Sequence, residues 1–289
     1  MQTRFERLHP LVTFLYYAGS VALFILMLHP VFLGLGFIII LVINLLQDRF
    51  QGVRRWLIFI LFTFLLMLIM NPLFNERGRH VLFEINQHRF TLEALFYGGM
   101  NALAIIGIIV IFVSYNIVMT PNKLLFLFAK ILPQFAVLLM LTLRFIPLMR
   151  RRLEEISVIQ KSKGFSVSQG KWQYKMKNAL LFVQALLTYS LEEAIQTADS
   201  MKARGYGTGK RTTYEHFTIY KGDMIAVLYL VLLFTCAIYG RVFGYGFLQI
   251  YPIMESWHLA VMDGRTLMFY LLFLSFPIFV EAGGMFRWR

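Results

Sequence analysis

The sequence predicts an all-α polytopic membrane protein, with about six transmembrane helices and long amphipathic helices in a basic central segment. Three observations lead there. Of the 289 residues, 58% are hydrophobic and only 15% are charged, whereas soluble domains carry about a quarter charged residues. Six apolar runs approach or reach the roughly 17–25 residues that a helix needs to cross a bilayer. The formal net charge of +13 falls wholly on one side of the topology those runs imply.

The first run, Leu11–Leu28, follows Arg4 and Arg7, as the apolar part of a signal peptide would. It is long, however, and "HPVFLGLG" follows it in place of a small-residue cleavage site, so it reads as a retained helix. Val31–Leu46, Trp56–Leu73 and Leu95–Met119 complete an N-terminal bundle of four helices over 1–119. Between the third and fourth, Val81, Phe83 and Ile85 alternate in "HVLFEINQHRFT", the pattern of a short outer hairpin turning near Asn86. Met224–Arg241 and Thr266–Val280 form a C-terminal pair within 224–289. No span carries a charge in its interior. Asn44, Asn101 and Asn116 are the most polar groups there and read as helix–helix hydrogen-bonding residues, while Gly98 and Gly99 read as sites of close helix packing.

The middle, 120–223, breaks this pattern. Lys123–Met149 is apolar but interrupted by Pro133, Arg144 and Pro147, and Ala179–Leu191 offers only about a dozen apolar residues. Both are expected to lie at the interface or to pack within the protein. With four spans before it and two after, the middle shares a side with both termini. It holds 16 Lys/Arg against 7 Asp/Glu, and the opposite-side segments 74–94 and 241–265 are each neutral. The positive-inside bias makes the basic side cytoplasmic, with N-in and C-in orientation. The charge is therefore accounted for by topology, and no nucleic-acid partner is implied. The single Cys236 lies in an apolar run and supplies neither a disulfide nor a thiolate metal site.

Two stretches of the middle are amphipathic at helical spacing. "RRRLEEISVIQKSKG", 150–164, spaces Leu153, Ile156 and Ile159 three apart, and "YSLEEAIQTADSMKARG", 189–205, carries Leu191, Ala194, Ile195, Ala198 and Met201. Each stops at a Gly with cations in its last turn: Lys161 and Lys163 before Gly164, Lys202 and Arg204 before Gly205. Either end alone fits an ordinary helix C-terminus, where a cation meets the negative end of the dipole. Both ends, however, read Lys, small residue, basic residue, Gly, aromatic ("KSKGF" and "KARGY"). That repetition favours paired basic tips for an acidic partner, since an Arg fork binds a carboxylate bidentately. Anionic lipid headgroups are a second reading for Arg150–Arg152. "RGYGTGKRT" is not a phosphate-binding loop: Arg204 stands where the first Gly is required, and Arg211 replaces the Ser/Thr after Gly-Lys.

At these residues the sequence resembles the transmembrane T component of energy-coupling factor (ECF) importers, the family that includes the cobalt-transport Q protein. "AIQTADSMKARGYGTGKRT", 194–212, resembles the second of the family's two Ala-Arg-Gly-type motifs, with Ala203, Arg204 and Gly205 as its core. "VIQKSKGFSVS" sits where the first belongs, with Ser162 for Ala, Lys163 for Arg, and Gly164. "NPLFNERGRHVLF", 71–83, resembles the stretch that follows an early span, and the likeness runs from about residue 10 to 282. The resemblance implies a non-catalytic subunit without cofactor in a bacterial or archaeal plasma membrane. It would dock two cytoplasmic ATP-binding subunits through Arg204 and Lys163, while Ala203, Gly205, Ser162 and Gly164 allow close approach. It would pass their motion to a small membrane S component that binds the vitamin or metal. The apolar faces with Leu153, Ile156, Ile195 and Met201 would meet that S component or each other.

Two other classes fit less well. A self-contained secondary transporter or channel usually places ionisable groups within the membrane, and these spans are charge-free. A membrane enzyme should cluster acids or His at a boundary. His80, Glu84 and His88 would share one strand face at i, i+4, i+8, but a solvated hairpin face is the reading favoured over a metal site.

Overall fold

In the computed structural model the described residues are 3–75, 78–85, 88–129, 131–163, 172–209, 217–250 and 261–283. They divide into two compact units, one formed by 1–124 with 217–289 and the other by 125–216.

In the first unit, α1 (Pro10–Leu26) and α2 (Pro30–Asp48) begin alike: a His side chain caps the helix and a Pro stands first in it. The proline needs no N–H there, and the His9 and His29 rings accept from the Leu11 and Val31 amides at 3.2 and 3.3 Å. α3 (Gln51–Phe74) follows after Arg49 and Phe50, both with positive φ (46° and 64°). Strands β1 (Val81–Ile85) and β2 (His88–Thr91) pair antiparallel with Ile85 opposite His88, as the alternation predicts. α4 (Leu92–Val118) packs against α1, α2 and α3, and α5 (Pro121–Ala129) begins after it.

The core of this unit is aromatic and tied by hydrogen bonds between helices. α8 (Lys221–Val242) and α9 (Val261–Leu274) pack on each other and on α1. Tyr16 stacks on Phe273 with centroids 5.8 Å apart and donates its hydroxyl to the Leu274 carbonyl at 2.9 Å. Tyr17 of α1, Ser114 of α4 and Gln47 of α2 close a polar triangle: the phenol lies 2.7 Å from Ser114 Oγ, which donates to Gln47 Oε1 at 2.6 Å. Asn44 donates to the Val110 carbonyl across α2 and α4 at 3.3 Å, the interhelical bond expected of it. Asn116 instead returns its amide to Phe112 of its own helix. Gly98 lies where a Cβ would sit 3.0 Å from Asn71 Cβ, so α3 and α4 approach as closely as the sequence suggested.

The last apolar run is not one straight helix. α10 (Phe276–Ala282) departs from α9 by 52°. Pro277 has no N–H for the carbonyl one turn back, so the ladder breaks at Ser275.

The unit 125–216 holds α6 (Pro133–Ser162) and α7 (Trp172–Ala203), packed on one another. Two expectations change here. Lys123–Met149 is divided after Ala129, but from Pro133 a single 30-residue helix runs through Arg144 and Pro147. Pro133 interrupts nothing because it occupies the first turn, where its missing N–H has no intrahelical acceptor. Likewise Ala179–Leu191 is no separate segment but the middle of the 32-residue α7. The amphipathic stretches are thus the C-terminal parts of two longer helices. By length and composition, α2, α3, α4, α6 and α8 are each able to cross a membrane, with α9–α10 a sixth as a bent pair. The expected set had α1, a shorter apolar helix of 17 residues, and did not count α6.

Candidate functional site: the basic helix ends

The end of α7 is a complete Schellman motif. The Tyr206 amide donates to the Met201 carbonyl and the Gly205 amide to Lys202, both at 2.9 Å. This pairing needs a left-handed residue, and Gly205 supplies it at φ +77°. The chain then turns again, with Thr208 donating through both its amide and its hydroxyl to the Gly205 carbonyl, at 3.2 and 2.7 Å. Ala203 is the last helical residue and Arg204 the cap, so the guanidinium is carried by a residue whose backbone is pinned by hydrogen bonds on both sides. Lys202, Ala203, Arg204 and Gly205 are all exposed.

α6 ends differently. Lys163 is its cap, at φ −83° and ψ 2°, and its amide donates to the Ile159 and Gln160 carbonyls at 3.3 and 3.1 Å. The Ser162 hydroxyl donates to the same Ile159 carbonyl at 2.7 Å, a second donor on that oxygen. Ser162 and Lys163 are exposed; Gly164 lies outside the described residues.

Behind the tips, contacts join the two helices through residues of which the sequence points only to Arg152, and there as a lipid-headgroup contact. The Ser190 hydroxyl lies 3.1 Å from Met149 Sδ, and the Arg152 guanidinium sits 4.5 Å over the Tyr189 ring. Arg152 also pairs with Glu155 at 2.6 Å, and the Tyr189 hydroxyl donates to Glu193 at 3.2 Å. The only sequence signals for this joint are the i, i+3 spacing of Arg152 with Glu155 and the i, i+4 spacing of Tyr189 with Glu193. Leu153 and Ile195 stay exposed, while Ile156 and Met201 are half-buried.

On the hairpin His80 and Glu84 take other partners, and the His88 side chain lies outside the described residues. The His80 ring lies 2.9 Å from Glu93 Oε1, and Glu84 pairs with Arg89 at 2.8 Å. Among the described residues no group of three His, Cys, Asp or Glu side chains is placed to hold a metal ion. Glu93, which the sequence reading passed over, is 1% exposed and ties the hairpin to the start of α4, accepting from the Arg79 and His80 amides at 3.1 Å.

The sequence profile of CbiQ, the cobalt transport protein family, matches residues 2–215, which include both helix ends and the joint between them. The chain belongs to the CbiQ family. Its relatives include proteins named energy-coupling factor transporter transmembrane protein EcfT. The Staphylococcus aureus protein is 27% identical over 184 residues, covering 59% of this chain and 68% of its own length. An EcfT of Listeria monocytogenes is 29% identical over 194 residues (63% and 71%), and that of Leuconostoc gelidum 25% over 217 (70% and 72%). As a member of this family with five or six apolar helices of spanning length among its described residues, the chain is a multi-pass membrane transport protein.

Proposed function

We propose that this CbiQ-family chain is the transmembrane energy-coupling subunit of an ECF-type importer. It docks two cytoplasmic ATP-binding subunits, one on each basic helix end, and transmits their motion to a separate membrane S component that selects the vitamin or metal ion. The chain itself is non-catalytic. N- and C-termini face the cytoplasm of a bacterial or archaeal cell, which the one-sided charge supports.

The observation that carries the reading is the end of α7. Arg204 is exposed at the cap of a helix whose termination is fixed by Gly205. A planar guanidinium held this way offers paired donors to a carboxylate with little left to order on binding. Lys163 offers a point charge in the corresponding place. With 32 residues α7 is roughly 48 Å long, and the 14 residues after Ser190, ending at Arg204, form an arm of about 21 Å beyond the joint with α6. Approach of the two ATPases would swing such arms about the Met149–Ser190 and Arg152–Tyr189 contacts. The apolar residues alongside, Leu153, Ile156, Ile195 and Met201, are where the S component would feel that swing. Arg150 and Arg151, exposed on α6, fit anionic headgroups of the inner leaflet.

A secondary transporter is not favoured, because the buried Glu93 is engaged by backbone amides and His80. Co-purification in detergent with candidate ATP-binding subunits tests the proposal. Wild type should capture them and the Lys163→Ala/Arg204→Ala double variant should not. Full capture by the double variant would remove the tips from the contact, and no capture by wild type would remove the energy-coupling reading itself.

A further inference from the structure

The chain leaves the first unit after Leu124 and re-enters it by Phe217. Within that unit, both crossings are held by the same short piece of chain, residues 5–9. Lys123, at the start of α5, donates its ammonium to the Glu6 carbonyl and, at 2.9 Å, to the Val118 carbonyl. Half-buried, that ammonium is held below the ordinary lysine pKa by burial, with the Glu6 charge opposing. At the other crossing, Asp223 in the first turn of α8 is buried and accepts from the His9 amide at 3.3 Å and the Tyr220 amide at 3.0 Å. The His9 ring meets Phe217 edge-on at 6.5 Å.

The strap is itself anchored. Phe5 is fully buried, its ring set edge-on to Tyr16, Tyr17 and Phe276, and its amide donates to Glu281 of α10 at 3.2 Å. One 3-10 turn (Phe5–Arg7) and its C-terminal neighbours thus touch α5, α8 and α10, elements 117, 214 and 276 residues away in sequence. A charged ammonium and a buried carboxylate are the strong forms of such bonds, and each crossing has one of them.

We infer that residues 5–9 form a clasp that locks the two chain crossings to each other through Lys123 and Asp223, so that a pull on either one is felt at the other and at α10. Lys123 and Asp223 are then positioning residues for transmission between the two units. That functional half rests on the energy-coupling reading above; the mechanical half does not.

Hydrogen–deuterium exchange on the full chain in nanodiscs tests the mechanical half without any partner. Lys123→Met removes both charge-assisted bonds while keeping an apolar stem, and it should speed amide exchange about tenfold at 118–124 and also at 217–223. Asp223→Asn should do the same in reverse, and Lys123→Arg should restore wild-type exchange at 217–223. Loosening confined to the mutated crossing, or none at all, would overturn the clasp. With ATP-binding subunits captured, trapping them as the ADP–vanadate state after ATP hydrolysis should change exchange at 217–223 and at the start of α10 in wild type but not in Lys123→Met. Equal changes in both proteins would show transmission by another route. If wild type captures no ATPase, the energy-coupling reading fails, while the partner-free result still decides the clasp.

Discussion

The two basic ends share a sequence signature and differ in construction. At the end of α7 the turn is written into the backbone: Gly205 is left-handed, two amides pair back into the helix, and Thr208 caps the turn that follows. At the end of α6 a side chain, Ser162, joins the Lys163 amide on the Ile159 carbonyl, and the cap residue keeps an ordinary negative φ. One end carries an Arg fork, the other a Lys. The difference teaches that one signature can end two helices unlike in construction, and on the proposed docking role the two ends would bind unequally, by how firmly the backbone aims the charge and how many donors it offers.

This asymmetry can be broken or sharpened by mutation. Arg204→Ala should weaken ATPase binding about 10- to 100-fold, the loss of a charge-assisted contact, and Lys163→Ala by less than tenfold; equal losses in a titration would erase the distinction. Next in size is Gly205→Ala. Forcing an L side chain into the left-handed region costs about 1 kcal/mol, so exchange of the Arg204 to Tyr206 amides should rise about fivefold and binding fall modestly. Lys163→Arg should have the smallest effect and the opposite sign, a gain of about twofold, because the added donors sit on an end that Ser162 fixes less firmly. A gain as large as the Arg204 loss would mean that residue type alone, and not termination, sets the strength.

Much of the fold was legible because burial in lipid imposes long apolar runs. α2, α3, α4 and α8 appear close to the expected places, and Asn44 makes the interhelical bond its solitary polarity suggested. The hairpin was legible from three alternating apolar residues. What stayed hidden depends on position within an element or on distance. Pro133 looks like an interruption until it is placed in a first turn, and Pro277 hardly disturbs an apolar average yet bends the last run by 52°. His80 pairs with Glu93, not Glu84, because the next helix begins where a strand-only reading stops. The places where α6 and α7 end were legible from their repeated signature. Their joint was not: nothing in the local pattern links Met149 to Ser190, 41 residues on. The clasp was the least legible, since Glu6 and His9 look like an ordinary polar leader.

The central claim, that the end of α7 is the contact for an ATP-binding subunit, is most directly tested by photocrosslinking. A benzophenone amino acid in place of Tyr206, an exposed aromatic two residues beyond the cap, would be irradiated in membranes containing the ATP-binding subunits. The account predicts a crosslink to one ATP-binding subunit that disappears when Arg204→Ala is added. Adducts to lipid or to this chain alone, unchanged by Arg204→Ala, would contradict it.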